Sequence, residues 1–356
     1  MEESAFRAQA PIGHERVLRT LGYSVQRGTV HHAYLFEGMP GIGKKEIAAW
    51  FSRAMLCESC RPADGLDFGE GAELACGICN ACSSLQRGQH PDLLELSAPE
   101  GSKQIRVEQI RELIQRTRYA PLRGRRRVIL LHQADRMGEV AANALLKTLE
   151  EPATYNTFVL LTDRAQSLLP TILSRCQRVR FAPLSRARVV DALKGDGVPA
   201  SEAHVLAAAS GGSLGMARQL NEAGFLENSL KWLERYLSPG GAAAADPRDA
   251  IADAATIGQA FRKNSDPYTS DFAVLRTSMI LGLRDVILHN SGAEKSLMTW
   301  PQRADITARL SEKVPLPRLV RLMERLQDAE QLFTRPLNPT LVVEDTLLKL
   351  VTGVRV

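Results

Sequence analysis

The stretch Gly38-Met39-Pro40-Gly41-Ile42-Gly43-Lys44-Lys45 constrains this chain more than any other. It sits between a short apolar run, Ala33-Tyr34-Leu35-Phe36, and a segment, Lys44 to Met55, with Ile47, Phe51, Ala54 and Met55 spaced for one face of a helix. Its spacing nearly matches the phosphate loop G-x-x-x-x-G-K-[ST], with candidate phosphate-binding residues Gly38, Gly41, Gly43 and Lys44. Glycines let backbone N–H groups turn toward an anion, the helix start favours negative charge, and the lysine reaches the outer phosphates. Such a loop at a strand-to-helix junction commits the chain to an α/β domain with a parallel sheet.

The segments that follow agree. Asp92–Leu96, Val128–Leu131, Phe158–Leu161 and a last short run containing Val179 and Phe181 read as strands. They alternate with helical stretches at Val107–Arg116 and Glu139–Glu150. Continuous apolar strands of this kind belong to sheets covered on both faces. Trp50 and Phe51 read as packing against that sheet. Beyond Pro183 the pattern is helical: Ser185–Lys194, Ser201–Ala209, a segment starting near Gly215, and then helix to the end. A loose Pro/Gly/Ala stretch, Ser238–Pro247, interrupts it.

The chemistry of hydrolysis is missing from the loop. A working phosphate loop has Ser or Thr after the lysine to hold magnesium; here Lys45 stands there and carries no acceptor oxygen. The strand Val128–Leu131 ends in His132 and Gln133 where an ATPase places Asp and Glu. Asp135 lies three residues past the expected place and is given no catalytic role. Without the metal's charge, tight ATP/Mg²⁺ binding in this chain's own site is not expected. Two readings stay open: a relic that preserves the fold, and a loop that holds a nucleotide without cleaving it.

Five of the six cysteines fall between Cys57 and Cys82. Cys76-x-x-Cys79-x-x-Cys82 offers three thiolates, and Cys57 or Cys60 supplies a fourth, as a closed structural zinc site needs. The stretch Asp64 to Glu73 beside it is acid-rich, which argues against a zinc-dependent nucleic-acid module. A second concentration of charge, Arg116, Arg118, Arg123, Arg125, Arg126 and Arg127, admits two readings: contact with a phosphate backbone, or a solvated turn. The bland one is favoured, since Tyr119 is the segment's sole aromatic and the formal net charge is only +5. No apolar run approaches a membrane span. Met1-Glu2-Glu3-Ser4 shows no secretory signal, so a cytoplasmic location is expected.

Taken together, His32-Ala33-Tyr34-Leu35-Phe36, the phosphate loop, the cysteine cluster, Asn143-Ala144-Leu145-Leu146-Lys147-Thr148-Leu149-Glu150-Glu151-Pro152 and Ser174-Arg175-Cys176 resemble the clamp-loader subunits of bacterial DNA polymerase III. The likeness covers about residues 5–220, and Asn338-Pro339-Thr340-Leu341 to Leu348 resembles the family's C-terminal ending. It implies an AAA+-like domain with a parallel five-stranded sheet and a zinc-binding insertion (residues 1–183, zinc module about 57–82). A small helical lid (184–224) and a helical collar used in oligomerisation (225–356) follow.

Within that family the departures at Lys45, His132 and Gln133 match the delta-prime type rather than the gamma/tau motors. So does Gly212-Ser213-Leu214-Gly215, which lacks the motors' second sensor arginine; Arg218 is displaced by most of a helical turn. The resemblance implies a non-hydrolysing subunit that helps load the sliding clamp onto primed DNA. It would sit in a hetero-pentameric ring with gamma/tau motors and a clamp-opening delta subunit, as part of a polymerase holoenzyme. Arg175 would be an arginine finger reaching a neighbour's ATP, Thr162 the first sensor position with no catalytic acids nearby, and Cys57 the first zinc ligand. Weak contact with primer–template DNA and contact with the clamp itself are left open. The alternative is an active gamma/tau-type motor.

Overall fold

The computed structural model describes residues 11–60, 73–99, 102, 104–237, 247–263, 270–294, 297–300, 304–332 and 338–354. The N-terminal stretch Met1–Ser4, most of the acid-rich run (Asp64, Asp67 and Glu70) and all but Pro247 of the loose stretch from Ser238 lie outside them. The chain divides into two compact units, residues 1–184 and 185–356.

The first unit is built on β1 (Ala33–Glu37), β2 (Leu93–Leu96), β3 (Arg127–Leu131), β4 (Asn156–Thr162) and β5 (Gln177–Arg180). All pairings are parallel, in the order β2-β3-β4-β1-β5. Phe181, expected inside the last strand, lies one residue beyond it and packs its ring against Phe36, 5.2 Å between centroids.

Side chains alternate across the sheet, and both faces are covered. Tyr34 and Phe36 point to one face, where α1 (Glu15–Gln26) and α2 (Lys44–Leu56) pack with Leu18, Leu21, Ile47, Trp50 and Phe51. Ala33, Leu35, Ile129, Leu131, Phe158 and Leu160 point to the other. There α4 (Val107–Thr117) and α5 (Glu139–Glu150) bring Ile110, Leu113, Leu145 and Leu149. This two-sided burial is why β1, β3 and β4 are buried along their whole length and read as unbroken apolar runs. Trp50 and Phe51 are 1% and 0% exposed, each worth about 1.5–3 kcal/mol of burial. A short helix α3 (Asn80–Gln86) packs on α2, and α6 (Pro170–Leu173) precedes β5.

In the second unit α7 (Arg186–Gly195), α8 (Ala200–Ala209) and α9 (Leu214–Glu222) pack together. Ser185 and Ser213 cap α7 and α9 by accepting from the N–H groups of Arg188 and Met216. The rest comprises α10 (Phe225–Leu237), α11 (Pro247–Lys263), α12 (Asp271–Asn290), α13 (Ala304–Lys313), α14 (Leu316–Leu332) and α15 (Pro339–Val354). α12 packs against α10, α13 and α14, and α11 lies along α15. That last pair meets at Gly258, where a Cβ would stand 2.7 Å from Thr340 Cα, so no side chain fits between the helices. Among the described residues, no helix is long and apolar enough to cross a membrane.

Candidate functional site

In a parallel sheet the loops after neighbouring strands meet at the carboxyl edge, the usual place for a ligand. Here the loop after β1 meets those after β3 and β4, because β4 lies between β1 and β3. The loop Gly38–Gly43 has the backbone its glycines permit, with φ of 66° at Gly41 and 106° at Gly43. At Gly38 the reason is space: a Cβ would stand 2.9 Å from the carbonyl oxygen of Phe181.

Lys44 is turned back on its own loop. Its ammonium donates to the carbonyls of Gly38 (2.7 Å) and Met39 (2.8 Å) and to Asp163 Oδ1 (2.7 Å). An ammonium has three hydrogens, and these three acceptors use them all. Asp163 directly follows the tip of β4, next to β1, which is why its carboxylate reaches the loop. Across the loop, His14 Nε2 bonds the carbonyl of Ile42 at 2.8 Å and its ring stands edge-on to Phe181.

At the tip of β3, His132 Nε2 lies 2.8 Å from Glu95 Oε2 on β2 and so is directed along the sheet, not into the loop. Gln133 takes a left-handed conformation (φ 51°), and a single turn of 3₁₀ helix, Ala134–Arg136, follows. The turn swings Asp135 back over β4, where Asp135 Oδ1 accepts from Thr162 Oγ1 at 2.9 Å. The carboxylate beside Thr162 is thus Asp135, and not one of the two acids that His132 and Gln133 replace. The Thr162 hydroxyl also accepts from the N–H of Arg164 at 3.0 Å, so it is held from both sides.

Arg175 follows α6 and lies on an open cleft shared with His31, His32, Leu149, Glu150 and Ser174. Its Nη2 donates to Glu150 Oε1 at 2.5 Å, and its Nη1 donates to the carbonyl of Thr171 at 2.9 Å and to Ser174 Oγ at 3.3 Å. About a third of the side chain is exposed. The neighbouring Cys176 is buried, which pushes its thiol up to about 12 and leaves it a packing residue. In the second unit Arg218 is engaged by Asp196 through two bonds of 2.7 and 3.0 Å.

The sulfurs of Cys57, Cys76, Cys79 and Cys82 lie within 4.8 Å of one another. Two pairs, Cys57–Cys79 and Cys76–Cys82, are 3.9 and 4.0 Å apart. Four sulfurs around zinc at 2.3 Å would stand about 3.8 Å apart. Cys60 is outside the group and packs against the α2 side of the core. Backbone N–H groups face three of the sulfurs: Cys76 N to Cys57 Sγ (3.3 Å), Cys79 N to Cys76 Sγ (3.4 Å) and Cys82 N to Cys79 Sγ (3.4 Å). The N–H groups of Ile78 and Cys79 pull the Cys76 thiol down to about 6, in the sense that favours a thiolate ligand. The four cysteines thus have the donor set, spacing and N–H support of a structural zinc site.

The arginine-rich segment divides in two. Arg127 is buried, donating to the carbonyls of Arg116, Tyr119 and Ala120 and facing Asp92 at 3.5 Å. It is a core residue, which corrects its placement in a solvated turn. Tyr119 is 73% exposed, and Arg118, Arg123 and Arg125 are exposed as well.

The sequence reading had not paired Lys44 with Asp163, Thr162 with Asp135, or Arg175 with Glu150. The first pair follows only once β4 is known to lie beside β1, an order that periodicity does not give. The second depends on the left-handed turn at Gln133 and the third on how α5 packs against α6, which periodicity does not encode either.

Residues 13–185 match the family model described as "DNA polymerase III, delta subunit". The chain is 39% identical over 208 residues to the DNA polymerase III subunit delta' of Pseudomonas aeruginosa, covering 57% of this chain and 60% of that protein. It is 35% identical to the delta' subunit of Bacillus subtilis over 192 residues, 54% of each chain. It is also 38% identical over 173 residues to the DNA polymerase III subunit tau of Salmonella typhimurium, 49% of this chain and 25% of that protein. The chain therefore spans less than two thirds of the length of these relatives, and the family-model match falls on the α/β unit. With the sheet order, the phosphate loop and the four clustered cysteines, these matches place the α/β unit, residues 13–185, in the DNA polymerase III delta/delta-prime family.

Proposed function

We propose that this chain is the delta-prime-type, non-hydrolysing member of a clamp loader and that it donates Arg175 to the ATP of a neighbouring gamma/tau motor. One observation carries the reading. The Lys44 ammonium is spent on Gly38, Met39 and Asp163, in a loop where Lys45, His132 and Gln133 replace the metal-binding hydroxyl and the two acids. Such a site has neither a free cation for the outer phosphates nor a place for magnesium. Arg175 keeps what a donated arginine needs: a permanent charge, partial exposure and a bidentate fork.

In this reading the partners are the motors and a clamp-opening delta subunit in a five-membered cytoplasmic ring. Residues 184–224 act as the lid and 225–356 as the collar. Zinc at Cys57, Cys76, Cys79 and Cys82 is structural. Primer–template DNA is met only through the assembly, with the exposed arginines around Arg123 as the available contact.

A second reading, an active gamma/tau motor, is favoured by the 38% identity to the tau subunit of Salmonella typhimurium. Two measurements separate them. The purified chain should show no ATP turnover above background; steady turnover would establish the motor reading. In a loader reconstituted with motor and clamp-opening subunits, Arg175→Ala should assemble normally and slow ATP turnover, the affected site losing on the order of 10³-fold. Wild-type turnover with Arg175→Ala would remove the donated arginine from the account.

A further inference from the structure

Arg175 has five N–H groups, and the surroundings use them unequally. Nη1 donates to the Thr171 carbonyl and to Ser174 Oγ, while Nη2 donates to Glu150 Oε1. Nε–H, on the Nε/Nη2 edge of the guanidinium, has no hydrogen-bond partner among the described residues, and Nη2 has one hydrogen to spare. That edge is one of the two that grip an oxyanion in bidentate fashion.

Glu150 is the last residue of α5, and its side chain lies on the same open cleft as Arg175. The helix is anchored below it: Leu145 and Leu149 are buried in the sheet-facing core. The carboxylate is therefore presented from a rigid element to an arginine that follows a helix of only four residues. An arginine side chain loses rotamer freedom when it is fixed. A neighbour's phosphate would have to supply that ordering unless something in this chain supplies it first.

We propose that Glu150 is a positioning residue for Arg175. It holds the terminal nitrogens so that the Nε/Nη2 edge faces outward, ready for a phosphate group on an adjacent subunit. The inference rests on the donated-arginine reading and adds to it a second residue, which acts only through Arg175 and touches no nucleotide. A carboxylate serves better than a neutral acceptor because the bond is charge-assisted on both sides.

The test uses the reconstituted loader with motor and clamp-opening subunits, the clamp and primed DNA, and reads steady-state ATP turnover. Four forms of this chain are compared with wild type: Glu150→Ala, Glu150→Gln, Arg175→Ala and Glu150→Ala/Arg175→Ala. Ring assembly of each is verified by gel filtration. Glu150→Ala should lower kcat on the order of tenfold with KM for ATP little changed, as expected of a misplaced group. Glu150→Gln, which keeps the acceptor oxygen, should recover part of the loss. The double variant should turn over no more slowly than Arg175→Ala alone, because Glu150 acts through the arginine.

Full turnover with Glu150→Ala, alongside a loss with Arg175→Ala, overturns the positioning role and leaves the donated arginine standing. Faster turnover with Glu150→Ala also overturns it, since Glu150 would then be a restraint. Additive losses in the double variant overturn it by giving Glu150 a separate effect. Wild-type turnover with Arg175→Ala removes both the donated arginine and the residue proposed to aim it.

Discussion

Asp92 has no exposure to solvent, yet it carries a charge. Its oxygens accept from the N–H groups of Leu122 (2.7 Å), Arg123 (2.8 Å) and Gly124 (3.3 Å), and Arg127 stands beside it. Burial alone would raise its carboxyl; those three N–H groups and the guanidinium outweigh burial and hold it below the usual range. A depressed carboxyl contributes stability that is present above its unfolded value, near pH 4, and is lost as pH falls through the lower folded value. Removing one partner of a buried pair costs about 3–5 kcal/mol. Asp92→Ala should therefore lower the unfolding free energy extrapolated from urea titration by an amount of that size at pH 7, and most of the difference from wild type should vanish in acid. An unfolding free energy within about 0.5 kcal/mol of wild type at pH 7, as for an ordinary surface change, would contradict this account. The pair also shows where a sequence reading stops. Arg127 stands in a row of arginines and looks solvated; the pairing of β2 with β3, which brings Asp92 under the turn, is what buries it.

At the scale of elements, the cysteine module joins two pieces of chain that lie far apart in sequence. Cys57 is the residue after α2, while Cys79 caps the start of α3 and Cys76 lies just before it. The spacing Cys76-x-x-Cys79-x-x-Cys82 made three sulfurs legible from the sequence, since a short turn and one helical turn converge them. The fourth was not legible from spacing, because Cys57 and Cys60 both stand near the end of α2. Packing separates them: Cys60 lies against the core, and Cys57 Sγ sits 3.9 Å from Cys79 Sγ. Purified protein should hold about one equivalent of zinc per chain, and less than about half an equivalent would count heavily against the site. Cys57→Ser should lose most of that metal and Cys60→Ser should keep it; the reverse pattern would exchange their roles. Chelation should melt the α3 segment before the sheet, because β1, β3 and β4 are covered mainly by α1, α2, α4 and α5.

For the whole molecule, the two-layered cover of the sheet was legible because the central residues of β1, β3 and β4, Ala33–Phe36, Val128–Leu131 and Phe158–Leu161, are apolar on both faces. The order of the strands was not, since parallel pairing leaves no turn signal, and that order decides which loops meet. It brings Asp163 to Lys44, an ion pair that bears on whether the loop holds a nucleotide. The absent metal ligand weakens the site, and the ion pair with Asp163 then competes for the lysine that remains. The size of the effect can be measured. A ligand present at 100 times its Kd stabilises a fold by about 2.7 kcal/mol. For a unit of 150–250 residues that is a rise in Tm of about 5–11 °C. Millimolar ATP with Mg²⁺ should shift the Tm of this chain by less than about 1 °C, the response of a ligand whose Kd is not far below its concentration. Asp163→Asn frees the lysine of its counter-charge without restoring a metal site. It should add a small shift that does not depend on Mg²⁺. A large magnesium-dependent shift in the wild-type chain would mean that Lys44 leaves Asp163 for a phosphate, and the loop would then be a working nucleotide site.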